Sequence, residues 1–405
     1  MVETGLPRHI IQAKALSLVA AAAVMLGVFL QGFVINEPAP YELYMSALIA
    51  VWGVSALRIS RLVALLLAVL VVFNVGGLMS MMQMGDLYET PLYLAVSLFL
   101  AFTAVFFAAI VEADPDRYRL ILNALTAAAL VTGMLGIAGY FGLFPGAEMF
   151  TRFDRAMGAF GDPNVFGAFL TLPAIFMLHR MLTARTLTLP AYAAAFIVLA
   201  AAIFLSFSRG AWGLFGLSAI ALTLCLYLQS ASNLFRLRVT ILSLLAIVLL
   251  LGAILISLQM PGVADFFSQR ARLVQDYDGG HLGRFARYGV GLQLATEHPL
   301  GIGPLNFGRL YGEDTHNIWL KALMDYGWLG FAAFTLLVGA TLAGGLRILF
   351  RDRPWQPYLL CAYIVFAGHI VLGTVIDMDH WRHFYLLIGL VWGAMALEIK
   401  YQRLA

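Results

Sequence analysis

Charged residues are scarce in this 405-residue chain: 12% are Asp, Glu, Lys or Arg, whereas soluble domains carry about 25%. Hydrophobic residues make up 62%, and apolar runs of roughly 20 residues, long enough to cross a bilayer as helices, recur from end to end. This composition excludes a soluble globule with a single anchor. It predicts an all-α integral membrane protein of one polytopic domain, residues 1–405, whose surroundings are the lipid bilayer and which has no nucleic-acid partner.

Cysteine is almost absent. Cys225 and Cys361 both fall inside apolar runs, so a disulfide framework and a cysteine metal cluster are excluded. Low-complexity tracts and obvious repeats are also missing. The first apolar run, Ala15 to Ile35, is too long for a signal-peptide core and lacks a clear cleavage site, so we expect a retained span.

The apolar runs predict about twelve transmembrane helices, with boundaries uncertain by a few residues. A long polar stretch, about residues 260–326, lies between the ninth and tenth helices and is predicted to carry short helices and the functional site. The predicted spans are 15–35, 42–57, 62–82, 91–111, 120–142, 164–182, 189–207, 211–229, 239–259, 327–346, 356–376 and 384–399.

Lys and Arg accumulate in alternate connections, which places both termini in the cytoplasm and the long loop outside. Arginines are nevertheless frequent on the outer side, against the topological preference. One interpretation is solvation and pairing with outer acids such as Asp154, Asp276 and Asp377. The other is an outward-facing anionic site, because guanidinium groups donate paired, charge-assisted hydrogen bonds to phosphate.

Two short segments place arginines at outer helix ends. Ser208-Arg209-Gly210 joins spans seven and eight tightly, so Arg209 is either a phosphate ligand or an interfacial arginine beside Trp212. Arg152 and Arg155 precede span six. There, the segment "GDPN" is fully explained as a helix start, and the two arginines are the functional candidates.

The long loop supplies further candidates. Arg284 to His298 is predicted to be a helix, on which Arg284 and Arg287 share a face and can reach one diphosphate. Gly301 and Gly303 form either a plain turn or half of a phosphate-binding loop, and the plain turn is favoured.

His316 precedes the tenth span. Asp314 or Thr315 is the predicted N-cap of a helix that continues to Gly327, which puts His316 in the first turn. The positive potential there disfavours imidazolium, so a neutral, proton-accepting imidazole is predicted. The alternative is a histidine that only caps or packs. The last outer loop, "DMDHWRHFY", adds Arg382 to the same side.

Together these segments resemble the O-antigen ligase and O-antigen polymerase family over most of the chain. The motifs are S-R-G before span eight, G-R with an aromatic four residues later, H-P-L-x-G-x-G-x-x-N-F, and H-N-x-x-L before span ten. Here they are Ser208-Arg209-Gly210, Gly283-Arg284 with Tyr288, His298 to Phe307, and His316-Asn317 with Leu320. Family members commonly have Trp where this chain has Tyr288.

The resemblance implies a metal-independent, cofactor-free glycosyltransferase on the periplasmic face of the bacterial inner membrane. Its donor would be a glycan on undecaprenyl diphosphate, and its acceptor a sugar hydroxyl on lipid A–core or on another lipid-linked glycan. Arg209 and Arg284 would bind the diphosphate and His316 would act at the reaction centre, with Arg287, Arg155 and Arg152 as further anion ligands and Arg382 and Asn317 as possible ones.

Several alternatives remain at the level of sequence. Exopolysaccharide polymerases of the same superfamily also fit, and the segment "DPNVFG" is similar to theirs. A transporter or flippase of lipid-linked sugars also has many spans, although transporters place ionisable groups near the middle of the membrane. A structural partner of a polysaccharide export machine is the third class.

Overall fold

A computed structural model describes residues 8–55, 58–259, 264 and 283–404, and within them the chain forms fourteen α-helices. A short 3-10 helix and a two-stranded hairpin precede α6. The elements are α1 (Arg8–Leu30), α2 (Pro40–Ser55), α3 (Arg61–Met81), α4 (Thr90–Ala113), α5 (Asp116–Tyr140), the 3-10 helix (Ala147–Phe150), β1 (Thr151–Arg152), β2 (Arg155–Ala156), α6 (Pro163–Thr183), α7 (Leu189–Leu205), α8 (Arg209–Gln229), α9 (Asn233–Ser257), α10 (Arg284–Glu297), α11 (Asn306–Tyr311), α12 (Ile318–Ile348), α13 (Gln356–Leu372) and α14 (Arg382–Leu404).

The helices have the length and apolarity of membrane spans. Among the described residues, nine are long and apolar enough to cross a bilayer, and α7 and α13 are shorter apolar helices. Each predicted span overlaps one helix of the structure. The all-helical membrane class is therefore confirmed.

The helices pack closely through small residues. A Cβ on Gly76 of α3 would lie 2.4 Å from the carbonyl oxygen of Tyr326 in α12, so only glycine permits this approach. Phe73 stacks on the Tyr326 ring there, with centroids 3.9 Å apart. In the neighbouring pair of helices, a Cβ on Gly389 of α14 would lie 2.6 Å from the Ala104 carbonyl oxygen of α4.

Helix α12 starts later than predicted, and its first segment ends at Gly327, as predicted. Asp314 or Thr315 as N-cap is wrong: the Asn317 side chain accepts hydrogen bonds from the amides of Trp319 and Leu320. Gly327 breaks the helical backbone with φ 64°. Its left-handed conformation turns the chain after a first, buried segment beginning at Ile318.

Connections from distant parts of the chain meet at one end of the bundle, here called the site end. Val34 forms a bridge with Phe160, the amide of Gly303 donates to Ser80 Oγ at 2.8 Å, and the amide of Ile318 donates to the Gly373 carbonyl at 2.8 Å. The first contact joins the α1–α2 and α5–α6 connections, the second joins the segment after α10 to the last turn of α3, and the third joins the start of α12 to the α13–α14 connection. Arg382, at the start of α14, is 3.0 Å from Glu37 of the α1–α2 connection, which ties the first pair to the third. The site end therefore gathers most of the predicted functional segments.

Candidate functional site

His316 lies between two carboxylates at the site end. Its Nε2 is 3.0 Å from Glu313 Oε1 and its Nδ1 is 3.4 Å from Asp377 Oδ2. A neutral imidazole has one N–H and can donate to only one of them, whereas imidazolium donates to both. The hydrogen bond to Asp377 is the main cause that raises the pKa of His316; burial opposes it, and Glu313 adds to it.

The predicted setting of His316 is therefore wrong in two respects. The residue precedes the N-cap rather than lying in the first turn, and its backbone is left-handed at φ 50°. Its carboxylate partners outweigh the potential of the helix terminus, so the pKa of His316 is shifted toward the charged form and not toward the neutral form that was predicted. Only the tertiary structure brings Asp377 into contact with the ring.

Arg287 and His316 share the Glu313 carboxylate. The Arg287 Nη2 is 2.5 Å from Glu313 Oε2, and Nη1 donates to the Asp314 carbonyl at 3.0 Å. Burial would raise the pKa of Glu313, but the hydrogen bonds from His316 and Arg287 outweigh it and lower the pKa. The Arg287 side chain is buried, whereas that of Glu313 is 55% exposed. The carboxylate thus faces solvent while both its oxygens contact cations.

A second charged cluster, formed by Asp314, Lys321, Asp379, Tyr93 and His380, adjoins the first and is here called the lower cluster. Lys321 Nζ is 3.4 Å from Asp314 Oδ2 and 3.8 Å from Asp379 Oδ1. Tyr93 donates its hydroxyl to Asp379 at 2.5 Å, and His380 Nδ1 lies 3.0 Å from the same carboxylate oxygen. Burial would raise the pKa of Asp379, but Lys321 and His380 lower it further than burial raises it.

Sequence reasoning assigned no role to this lower cluster. The signals were Lys321, a lysine in a mostly apolar helix that also carries Asp325, and the alternating aspartates of "DMDH". Lys321 joins the loop that carries Glu313 to the loop that carries Asp377. It therefore fixes the two carboxylates around His316.

Asn317 and Tyr288 tie α10 and α12 to the segment that leaves α13. The Asn317 amide donates to the Thr374 carbonyl at 3.0 Å, and the Tyr288 hydroxyl donates to the same carbonyl at 3.1 Å. Asn317 also caps α12. The asparagine of the H-N motif thus holds the start of α12, next to His316, against the segment of Thr374.

Arg209 lies directly after the α7–α8 connection. Ser208 caps α8 by accepting from the Ala211 amide, which makes Arg209 the first helical residue. A Cβ on Gly210 would meet Leu372 at 2.7 Å, so this helix start packs against the end of α13. Arg209 is thereby placed in the neighbourhood of the Thr374 segment that holds Asn317.

Arg155 is buried and bound to the protein itself. Its Nε donates to the Ser206 carbonyl at 2.7 Å and its Nη2 to Asn164 Oδ1 at 2.8 Å. It joins β2 to the end of α7 and the start of α6. These contacts are suited to hold the Arg209 segment in position. The role of Arg155 as an anion ligand remains a prediction.

Three other predicted ligands differ in their surroundings. Arg152 is exposed, donates to the Gly161 carbonyl at 2.8 Å and stands over the Phe153 ring. Arg382 is buried between the carboxylates of Glu37, at 3.0 Å, and Glu42. Arg284 begins α10, but its side chain lies outside the described part of the structure.

The segment that contains Gly301 and Gly303 is a plain turn, which is the interpretation that the sequence favoured. The amides of Gly301, Ile302, Gly303 and Leu305 donate to His298, Met324, Ser80 and Asp325, respectively. Their N–H groups are therefore committed to the protein. Among the described residues, no group of three or more His, Cys, Asp or Glu side chains is arranged to hold a metal ion.

The fold and this charged end define the class: a multi-pass helical membrane protein with arginines, a histidine and carboxylates at the end where its connections meet. Residues 194–335 of the chain match the O-antigen ligase family, which confirms the resemblance predicted from the motifs. The matched segment runs from α7 into α12 and contains Arg209, Arg284, Arg287 and His316. No curated protein matches the chain.

Proposed function

We propose that the chain is a glycosyltransferase that moves a glycan from an undecaprenyl-diphosphate carrier to a sugar hydroxyl, on lipid A–core or on another lipid-linked glycan. The observation that carries the proposal is the family match over the segment that holds Arg209, Arg287 and His316, together with their position at one end of the bundle.

We place the chain in the inner membrane with about twelve spans, adding α2, α7 and α13 to the nine long helices. Both termini are then cytoplasmic and the site end is periplasmic. We assign residues 260–326 to the periplasmic loop of this single domain; residues 260–263 and 265–282 of that stretch lie outside the described residues. The basic residues of the opposite end, including Arg351 and Arg353, support this orientation.

Transfer breaks the bond between the anomeric carbon and the diphosphate oxygen, so negative charge grows on the leaving group. Arg209, Arg284 and Arg287 stabilise that charge by hydrogen bonding, and a charged His316 donates to it as well. Attack by the acceptor hydroxyl from the face opposite the diphosphate inverts the anomeric centre. The protein's own cations supply the electrostatic stabilisation, without a metal or cofactor in the scheme.

We assign Arg382 a structural role as the ion-pair partner of Glu37 and Glu42. It is already neutralised by two carboxylates, so we do not include it among the diphosphate ligands. Arg155 holds the Arg209 segment and Asn317 holds His316. Arg152, which is exposed, remains a candidate for contact with the outer part of the glycan.

The test is transfer by purified protein from an undecaprenyl-diphosphate-linked oligosaccharide, with lipid A–core and a lipid-linked glycan offered as separate acceptors. We expect a glycosylated acceptor and release of undecaprenyl diphosphate in one of the two reactions, and loss of both products in Arg209→Ala and His316→Ala. Movement of the intact donor across vesicles without turnover would instead identify a flippase.

A further inference from the structure

Sugar transfer leaves one proton to be removed from the acceptor hydroxyl, and the described contacts show why His316 is unsuited to take it. Both ring nitrogens face carboxylates, at 3.0 Å and 3.4 Å. When each nitrogen donates to its carboxylate, neither has a lone pair left to accept a proton. A general base must expose a lone pair within hydrogen-bonding reach of the hydroxyl.

The carboxylates near His316 differ in access. The side chain of Asp377 is 15% exposed and that of Asp379 is 5% exposed, and Asp314 is engaged by Lys321. Glu313 is 55% exposed, directly contacts His316 and Arg287, and lies beside Gly312, whose left-handed φ of 82° starts the loop. It is the most exposed carboxylate of these four.

Resting on the function proposed above, we propose that Glu313 is the general base of the transfer reaction and that His316 is its cationic partner. The acceptor oxygen forms a bond to the anomeric carbon as its proton passes to the Glu313 carboxylate. The bond from that carbon to the diphosphate oxygen breaks, and its electron pair stays on the diphosphate. The proton is later released from Glu313 to water.

The contacts also couple the base to donor binding. With no donor bound, Arg287 and His316 both donate to Glu313 and weaken its basicity. A bound diphosphate competes for the same two cations, which releases lone pairs on the carboxylate. The acceptor hydroxyl is then activated only when the leaving group is in place.

The experiment measures transfer from an undecaprenyl-diphosphate-linked oligosaccharide by Glu313→Gln, Glu313→Ala and Glu313→Asp. We expect kcat to fall about 10²- to 10⁴-fold in the first two, with donor KM changed little. The aspartate variant retains a shorter base and is expected to be intermediate. Glu148→Gln, a matched charge change at an exposed residue of the 3-10 helix, is expected to match the wild type.

Sodium formate separates a missing base from a damaged fold. A small carboxylate can enter the space left by Glu313→Ala and accept the proton, so formate is expected to restore part of its kcat and to have no effect on Glu313→Gln. Near-normal kcat in Glu313→Gln, or a Glu313→Ala protein that binds inorganic pyrophosphate but is not rescued, overturns the assignment. Either result with active wild-type protein leaves the glycosyltransferase function standing, whereas an inactive wild type contradicts that function itself.

Discussion

Two arginine–carboxylate ion pairs at the site end differ in how far their carboxylates are exposed to solvent. Arg382 binds Glu42, whose side chain is 11% exposed, and Glu42 also accepts the Ala39 amide at 2.6 Å. Arg287 binds Glu313, which is 55% exposed and shared with His316. In the first group the contact between Arg382 and Glu42 is closed by burial and joins α14 to α2, while the second carboxylate partner of Arg382, Glu37, is 70% exposed. The second group is open to solvent, so a ligand can compete for its partners.

This difference teaches that charge alone does not identify a binding residue. Both arginines lie in outer segments and look equivalent in the sequence. What separates them is that Arg382 binds a carboxylate sealed by the fold, Glu42, in addition to an exposed one, whereas the Glu313 partner of Arg287 remains accessible. Arg155 donates to a backbone carbonyl and to an amide oxygen, and its predicted role as an anion ligand remains a prediction.

The strongest test of the closed group is Arg382→Ala. Removing the cation leaves Glu42 buried without its ion-pair partner, so we expect a loss of about 3–5 kcal/mol in the free energy of unfolding. Thermal unfolding in detergent measures it. The double variant Arg382→Leu with Glu42→Leu is expected to recover much of the loss, and an unchanged melting temperature in the single variant contradicts a structural role.

For the open group, His316→Ala is expected to lower the transfer rate about 10²- to 10³-fold, because one donor to the developing diphosphate charge is lost. Its melting temperature should change much less than that of Arg382→Ala. The matched control is His298→Ala, an exposed histidine at the end of α10, with activity close to wild type. Equal rates in the two alanine variants would remove His316 from the reaction.

The variant Asp377→Asn tests the electrostatic cause of the raised pKa of His316. Because Asp377 is the main cause of the raised pKa of His316, the asparagine variant is expected to shift this pKa toward the ordinary value of about 6.5. Titration of labelled histidine by NMR measures the shift, with His298 as internal reference. A His316 pKa that does not move would show that Glu313 alone sets it.

The raised pKa also predicts how stability depends on pH. A group whose folded pKa is raised stabilises the fold fully below its unfolded value and loses that contribution as pH rises through the folded value. The difference in stability between wild type and His316→Gln is therefore expected to be largest below about pH 6.5 and to shrink above it. Unfolding curves at several pH values test the sign.

The smallest expected effect concerns the backbone around His316. Asn317→Ala removes the α12 cap and is expected to cost about 1 kcal/mol. Ser232→Ala removes a comparable side-chain cap at α9, where Ser232 accepts from the Phe235 amide. Only Asn317→Ala should also lower transfer, since only that cap adjoins the site. Equal activity in both variants would separate the cap from the site.

Local sequence patterns predicted correctly those helix boundaries that depend on a single segment of the chain. Helix α10 follows the predicted Arg284–His298 interval closely, and Gly327 interrupts α12 as predicted. The N-cap of α12 was missed because Asp314, Thr315 and Asn317 are all good caps. Asn317 is selected by its contact with Thr374, 57 residues further along the chain.

The sequence by itself determined the membrane class, the helical segments and the candidate cations, because span length, hydropathy and helix signals are properties of neighbouring residues. Only the tertiary structure decided which cations are neutralised, and that His316 stands between Glu313 and Asp377. Protonation and access depend on charges and burial contributed by segments far apart in the chain, and these meet only when the helices pack.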